Sequence, residues 1–245
     1  MRLLITLLLV CNSLIVCSAE LNVASAANFY PTLKKIKAEF EKVTEHKIII
    51  IRGSTGKLYA QIMHGAPFDV FLSADSARAD KIVANNKSLD GNSEIYAIGQ
   101  LALWAKDAES SQSIKEKLIE GKFDKLAIAN PKTAPYGKAA IQTLKEMELY
   151  ELVKKKLIYG ENISQTLQFV ESGGAGIGFV ARSHVHDDIY WEVDDYRHSA
   201  INQKMVILKQ SRKIEVAKQF FDFMKSSSIQ NIIVSDGYKV SEENR

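Results

Sequence analysis

Four short segments of this sequence carry residues suited to holding an anion. They are Ser25-Ala26-Ala27-Asn28-Phe29-Tyr30-Pro31, Gly53-Ser54-Thr55-Gly56-Lys57, Asn130-Pro131-Lys132-Thr133-Ala134-Pro135-Tyr136-Gly137 and Glu161-Asn162-Ile163-Ser164. Each combines small, hydroxyl or amide side chains, and two carry proline near the start of a helical pattern. Such residues begin helices, because a Ser, Thr or Asn oxygen accepts an orphan backbone N–H and proline fits the first turn. Capping accounts for any one of the four taken alone. The second chemistry is anion binding: the first N–H groups of a helix have no internal acceptor and sit at the positive end of its dipole.

Other chemistries fail on spacing. Gly56-Lys57 hints at a nucleotide phosphate loop, but Ile51 stands where that loop needs glycine and Leu58 where it needs a Mg²⁺-binding hydroxyl. Gly173-Gly174-Ala175-Gly176-Ile177-Gly178 lacks the dinucleotide spacing in either frame and reads as a helix stop. His184-Val185-His186-Asp187-Asp188 offers a metal fragment with no third ligand at a useful spacing, and reads as solvated surface. No Ser/His/Asp set is recognisable, so a secreted hydrolase is an alternative class without a named nucleophile.

The elements that must position the four segments alternate between strand and helix patterns. Leu21–Ser25, Lys47–Arg52, Asp69–Leu72, Lys125–Ala129, Leu157–Tyr159 and Gly176–Ala181 read as strands. The four consecutive isoleucines of the second predict a strand buried on both faces. Pro31–Val43 (apolar Leu33, Ile36, Phe40 and Val43), Leu58–Met63, Ser76–Asn85, Ser111–Glu120, Gly137–Glu148, Ile163–Glu171 and Ile214–Val234 read as helices. This alternation favours an α/β fold with a largely parallel sheet. Long β-type runs at Ile95–Ala105 and Ala200–Leu208 suggest that the chain leaves one lobe and later returns. In open α/β sheets ligands gather beyond the carboxyl ends of strands, where the four segments lie. Two lobes facing one another would bring them together.

Residues 1–19 read as a secretory signal: one positive charge, a short apolar stretch, and small residues before Glu20. A lipid anchor at Cys17 is the minor alternative, with bulky Val16 against it. Both cysteines, Cys11 and Cys17, fall in this segment, so the exported chain would carry no thiol, disulfide or thiolate metal site. Of the 245 residues, 46% are hydrophobic and 25% charged, with a net charge of +3, proportions of a soluble globular protein without the basic face of a nucleic-acid binder.

The motifs resemble the periplasmic molybdate-binding proteins of bacterial molybdate ABC transporters, a type II solute-binding protein family. The resemblance runs along most of the chain after residue 19. Its most specific pieces are Ala24–Phe29, Gly53–Ile62 and Gly65–Asp75, with support from Asn130–Gly137 and Glu161–Leu167. It implies two α/β lobes, each a mixed sheet flanked by helices, joined by two hinge crossovers: residues 20–98 with 206–245, and residues 99–205. It implies a dehydrated tetrahedral dianion, molybdate or tungstate, held as an oxyanion without direct metal-ion ligands. The contacting residues would be Asn28 and Thr55, with Ser54 adjacent, from one lobe. Tyr136 and Ile163 would serve from the other, largely through backbone amides.

It further implies a periplasmic monomer with no cofactor and no catalysis, served by a membrane permease and an ATPase. Some relatives have Ser in place of Asn28, which keeps a donor but changes its reach. Some supply a Tyr hydroxyl where this chain has Ala181, a donor that Tyr136 or Asn28 would have to replace. A sulfate-like oxyanion or a ferric ion is the alternative ligand for the same fold, although a ferric site would want clustered Tyr and His ligands.

Overall fold

The isoleucine run Ile48–Ile51 forms a strand, but at the rim of a sheet rather than within it. The computed structural model describes residues 18–185 and 189–240. In it Glu20–Ala26 (β1) and Lys47–Gly53 (β2) pair in parallel along their full length. Because β2 is the edge strand, only Ile48 is fully buried and Ile49 is 41% exposed, which corrects the expectation of burial on both faces. Val70–Ser73 (β3) lies parallel to β1 on its other side. Glu94–Gly99 (β4) closes this sheet, and after Gln100 the chain continues as Leu101–Trp104 (β5) in a second sheet. The single β-type run Ile95–Ala105 is therefore two strands in different sheets.

The second sheet adds Leu126–Ala129 (β6), Leu157–Gly160 (β7), Ile177–Ala181 (β8) and the short Trp191–Glu192 (β9), in the order β7-β6-β8-β5-β9. The chain then returns as Ile201–Ile207 (β10), which runs antiparallel between β3 and β4 and gives the first sheet the order β2-β1-β3-β10-β4. The lobe boundary expected at 205/206 falls inside this strand. Both sheets are mixed rather than largely parallel, since β10 and β5 enter antiparallel to their neighbours.

Helices flank both sheets. Tyr30–Val43 (α1) buries Leu33, Ile36 and Phe40 on one stripe, whereas Val43 at its end is 69% exposed. Thr55–Met63 (α2) and Ser76–Ala84 (α3) complete the first lobe's early half. Ser111–Glu120 (α4), Pro135–Glu146 (α5), Tyr150–Val153 (α6) and Ile163–Glu171 (α7) surround the second sheet.

The expected C-terminal helix is two, Ile214–Lys225 (α8) and Ser227–Ser235 (α9). Ser226 takes extended backbone between them, its hydroxyl donating to Phe223 O at 2.7 Å, while Gln230 Nε2 donates to Met224 O at 2.8 Å. A serine that offers the last carbonyls a side-chain donor competes with continuation of the helix. Gly173, at φ +77°, ends α7 in the left-handed conformation, as the helix-stop reading of that glycine run requires. Residues 1–17 of the expected export segment, with both cysteines, lie outside the described residues, as do His186–Asp188 of the metal fragment. No helix among the described residues is long and apolar enough to cross a membrane.

Candidate functional site

The four segments lie at strand-to-helix junctions. β1 runs through a 3₁₀ turn, Ala27–Phe29, into α1; β2 runs through Ser54 into α2; β6 leads to α5; and β7 leads to α7. The two β-sheets face these junctions toward each other, and Asn28, Ser54, Thr55, Tyr136 and Ile163 all line one cavity of about 10 Å³. Its remaining wall is Ala26, Ala27, Gly53, Ala74, Ala134, Pro135 and Asn162, so no charged side chain reaches it. A larger open cleft of about 490 Å³ adjoins it across Ala74, Ala134 and Pro135, lined by Arg78, Lys81, Lys132 and Lys138 with Asp75.

Capping explains only one of the four junctions. Asn162 accepts from Gln165 N at 3.1 Å, as an ordinary N-cap does. Ser54, Ala134 and the residues before α1 make no side-chain cap. Ser54 Oγ is buried and has no hydrogen-bond partner among the described residues. Thr55 Oγ1 accepts from Ala74 N at 3.3 Å, which leaves its own hydrogen available. The N–H groups of Thr55, Tyr136 and Ile163 lie in first turns, where the helix itself supplies no acceptor.

Asn28 contributes differently from the expectation. Its two amide hydrogens go to Gln203 Oε1 at 2.8 Å and Tyr238 Oη at 3.2 Å, so its side chain keeps no donor for the cavity. Its carbonyl accepts from Tyr238 Oη at 2.8 Å and from His184 Nε2 at 3.0 Å. What Asn28 can offer a ligand is its backbone N–H. The Tyr136 hydroxyl is likewise turned away, accepting from Gln203 Nε2 at 3.3 Å. Ala181 is buried in β8 and does not line the cavity, and neither side chain suggested as its replacement is aimed there.

Behind the cavity, then, lies a buried polar layer that sequence reading missed: Gln203, Tyr96, Tyr238 and Ser183, joined by His184, which is buried and not on the solvated surface expected of its segment. The one local signal was Gln203 itself. In Ile201-x-Gln203-x-Met205 an amide occupies the apolar face of a strand. Burial pushes the phenols of Tyr96, Tyr136 and Tyr238 well above the usual tyrosine range, while the Gln203 donor pulls against the rise at Tyr136. All three keep their protons at neutral pH. Among the described residues no group of three His, Cys, Asp or Glu could hold a metal ion.

The lobes touch across the cleft. Gly56 N donates to Thr133 O at 2.9 Å, Arg78 Nη2 to Lys132 O at 2.9 Å, and Ser164 Oγ to Ala27 O at 3.4 Å. Lys57 pairs with Glu161 at 2.7 Å, each about half exposed, so Glu161 is occupied outside the cavity. A chain of two α/β lobes closed over helix starts from both is a binding protein of the clamshell class.

The family described as bacterial extracellular solute-binding proteins matches residues 21–239, and the chain belongs to it. It is 40% identical over 227 residues to the molybdate-binding protein ModA of Azotobacter vinelandii, covering 90% of each chain. It is 38% identical over 224 residues to ModA of Rhodobacter capsulatus, covering 90% of this chain and 88% of that one. The solved structure of the Azotobacter vinelandii periplasmic molybdate-binding protein superposes with a TM-score of 0.87 at 32% identity, covering 91% of this chain and all of that one.

Proposed function

We propose that the protein captures molybdate or tungstate outside the cytoplasm and delivers it to the permease and ATPase of an ABC importer. The observation that carries this reading is the wall of the small cavity. Helix starts from both lobes form it, and among the described residues no charged side chain enters it and none partners the buried Ser54 hydroxyl there. Two relatives at 38–40% identity that bear the name molybdate-binding protein support the choice of ligand.

In this reading Ser54 and Thr55 give hydroxyl donors, and Asn28, Thr55, Tyr136 and Ile163 give backbone N–H groups. An unpaired dianion would be very costly to bury. Hydrogen bonds to a charged acceptor, each worth roughly 1.5–3 kcal/mol, offset that cost. Helix dipole ends add about 0.3–2 kcal/mol apiece. Fixed donors also select: protonated phosphate brings an O–H that needs an acceptor, and no carboxylate lines the cavity. Sulfate, fully ionised, is separated from molybdate only by cavity size. We place the hinge at Gln100 and at the segment leading into β10, where the chain crosses between the sheets. The exported chain acts as a monomer, without cofactor and without catalysis, after removal of residues 1–19.

Thermal unfolding with molybdate, tungstate, sulfate and phosphate tests the reading, because a ligand that binds only the folded state raises the melting temperature. Molybdate and tungstate should stabilise strongly, sulfate little and phosphate not at all. An equal response to sulfate would overturn the selectivity, and no response to any of the four would overturn the ligand class.

A further inference from the structure

Gln203 occupies an unusual place for an amide. It is fully buried on β10, at the point where the register with β4 shifts between Gln203 and Lys204. Its Oε1 accepts from Asn28 Nδ2 at 2.8 Å and from Tyr96 Oη at 3.0 Å. Its Nε2 faces Tyr136 Oη at 3.3 Å. These partners fix the orientation of the amide. Turning it over would set Nε2 against the Asn28 amide hydrogens and lose both accepted bonds in a site closed to water.

The bonds join two lobes. Asn28 and Tyr96 belong to the first and Tyr136 to the second, so one carboxamide spans the seam directly behind the cavity. The backbone is shaped for it: a Cβ on Gly99, the last residue of β4 before the crossing, would overlap Tyr136 Oη and stand 2.9 Å from Gln203 Nε2. Only glycine there lets the phenol reach the amide. On the Asn28 side, Tyr238 and His184 hold the carbonyl while Gln203 holds the side chain, so the direction of the Asn28 N–H is set from behind.

We propose that Gln203 is a positioning residue for the oxyanion site: its carboxamide ties the Asn28 turn of one lobe to the Tyr136 turn of the other and slows release of the bound anion. This rests on the proposed oxyanion function and adds to it the residue that holds the two lobes' donors in register. The Gln203–Tyr136 bond crosses between the lobes, so we place its effect on the complex rather than on the approach of the anion.

The test is exchange of isotopically labelled molybdate from the full-length exported protein, comparing wild type, Gln203→Met, Tyr136→Phe and the double variant. Tyr136→Phe removes only the hydroxyl and keeps the ring and backbone N–H. Release should speed up by about tenfold in each single variant, the scale of one hydrogen bond in a closed site, with association within about threefold of wild type. The double variant should be no faster than the faster single one, because both remove the same bond. A merely structural contribution would lower the anion-free melting temperature and leave the release rate of the folded fraction unchanged. If Gln203→Met does not fold, Tyr136→Phe decides alone. Release from Tyr136→Phe at the wild-type rate, or multiplied effects in the double variant, would overturn the inference. A wild type that takes up no molybdate would overturn the functional reading itself, and this inference with it.

Discussion

The backbone N–H of Gly56, at the start of α2, donates to the carbonyl of Thr133, before α5, at 2.9 Å across the cleft. The approach is too tight for a side chain unless the facing turn shifts. A Cβ on Gly56 would stand 3.0 Å from Thr133 Cα and 3.1 Å from both Thr133 O and Arg78 Nη2. Gly56→Ala should therefore keep the lobes from closing while improving, by up to about 1 kcal/mol, the intrinsic helix preference of a first-turn position. Small-angle scattering should show a larger radius of gyration with molybdate present than wild type shows. Calorimetry should show weaker binding, with the anion-free melting temperature unchanged or raised. Wild-type affinity in this variant would mean that the contact is not needed for closure.

Ser54 gives a prediction of opposite signs. Its hydroxyl lines the small cavity and has no hydrogen-bond partner among the described residues. Ser54→Ala should leave the anion-free protein as stable as wild type or more so, and weaken molybdate binding by about 1.5–3 kcal/mol, the worth of one bond to a charged acceptor. Thermal unfolding and calorimetry on the same preparation separate the two effects. Loss of anion-free stability with unchanged affinity would remove Ser54 from the site.

Which parts of this could be seen in the sequence follows from how local each signal is. The four junctions were legible because hydroxyl, amide and proline residues at a strand-to-helix change announce themselves within a few positions. The edge position of Ile48–Ile51 was not, because a strand's place in a sheet depends on partners elsewhere in the chain. The break at Ser226 was hidden because the apolar periodicity continues through it, and only the serine hydroxyls mark it. Least legible was the fate of the Asn28 side chain. Its partners Gln203 and Tyr238 are 175 and 210 residues away, so nothing near Asn28 reveals that its amide is already committed. The donor role given to Asn28 came from the family resemblance, which carries no information on these distant partners.

The buried tyrosines set an alkaline limit. Tyr96, Tyr136 and Tyr238 have folded-state pKa values raised by burial above the unfolded value of about 10. The unfolded chain releases these protons first, so it binds fewer protons than the native state above that pH, and stability falls as pH rises. Their contribution is fully present below about pH 10 and is lost as pH climbs through the folded values. Urea midpoints measured from pH 8 upward should stay level and then drop steeply past that point. Tyr238→Phe should start lower, having lost its bond to the Asn28 carbonyl, and then fall less steeply. An equally steep fall in that variant would show that Tyr238 does not contribute to the limit.

The outer cleft should govern how fast the anion arrives. Lys81, Lys132 and Lys138 are exposed on its walls, beside Arg78, whose charge is engaged by Asp75. None of the three lysines touches the inner cavity, so they offer long-range attraction rather than contacts. Charges lining a cleft raise the association rate of an oppositely charged ligand, and salt screens the effect because the Debye length shrinks from about 10 Å at 0.1 M to about 3 Å at 1 M. Replacing all three with Gln should lower the molybdate association rate several-fold at low salt and leave dissociation within about twofold. The difference from wild type should vanish as salt approaches 1 M. Stopped-flow measurements across a salt series decide it: a defect that persists at high salt, or one carried by faster dissociation, would mean that these lysines act on the bound state and not on the approach.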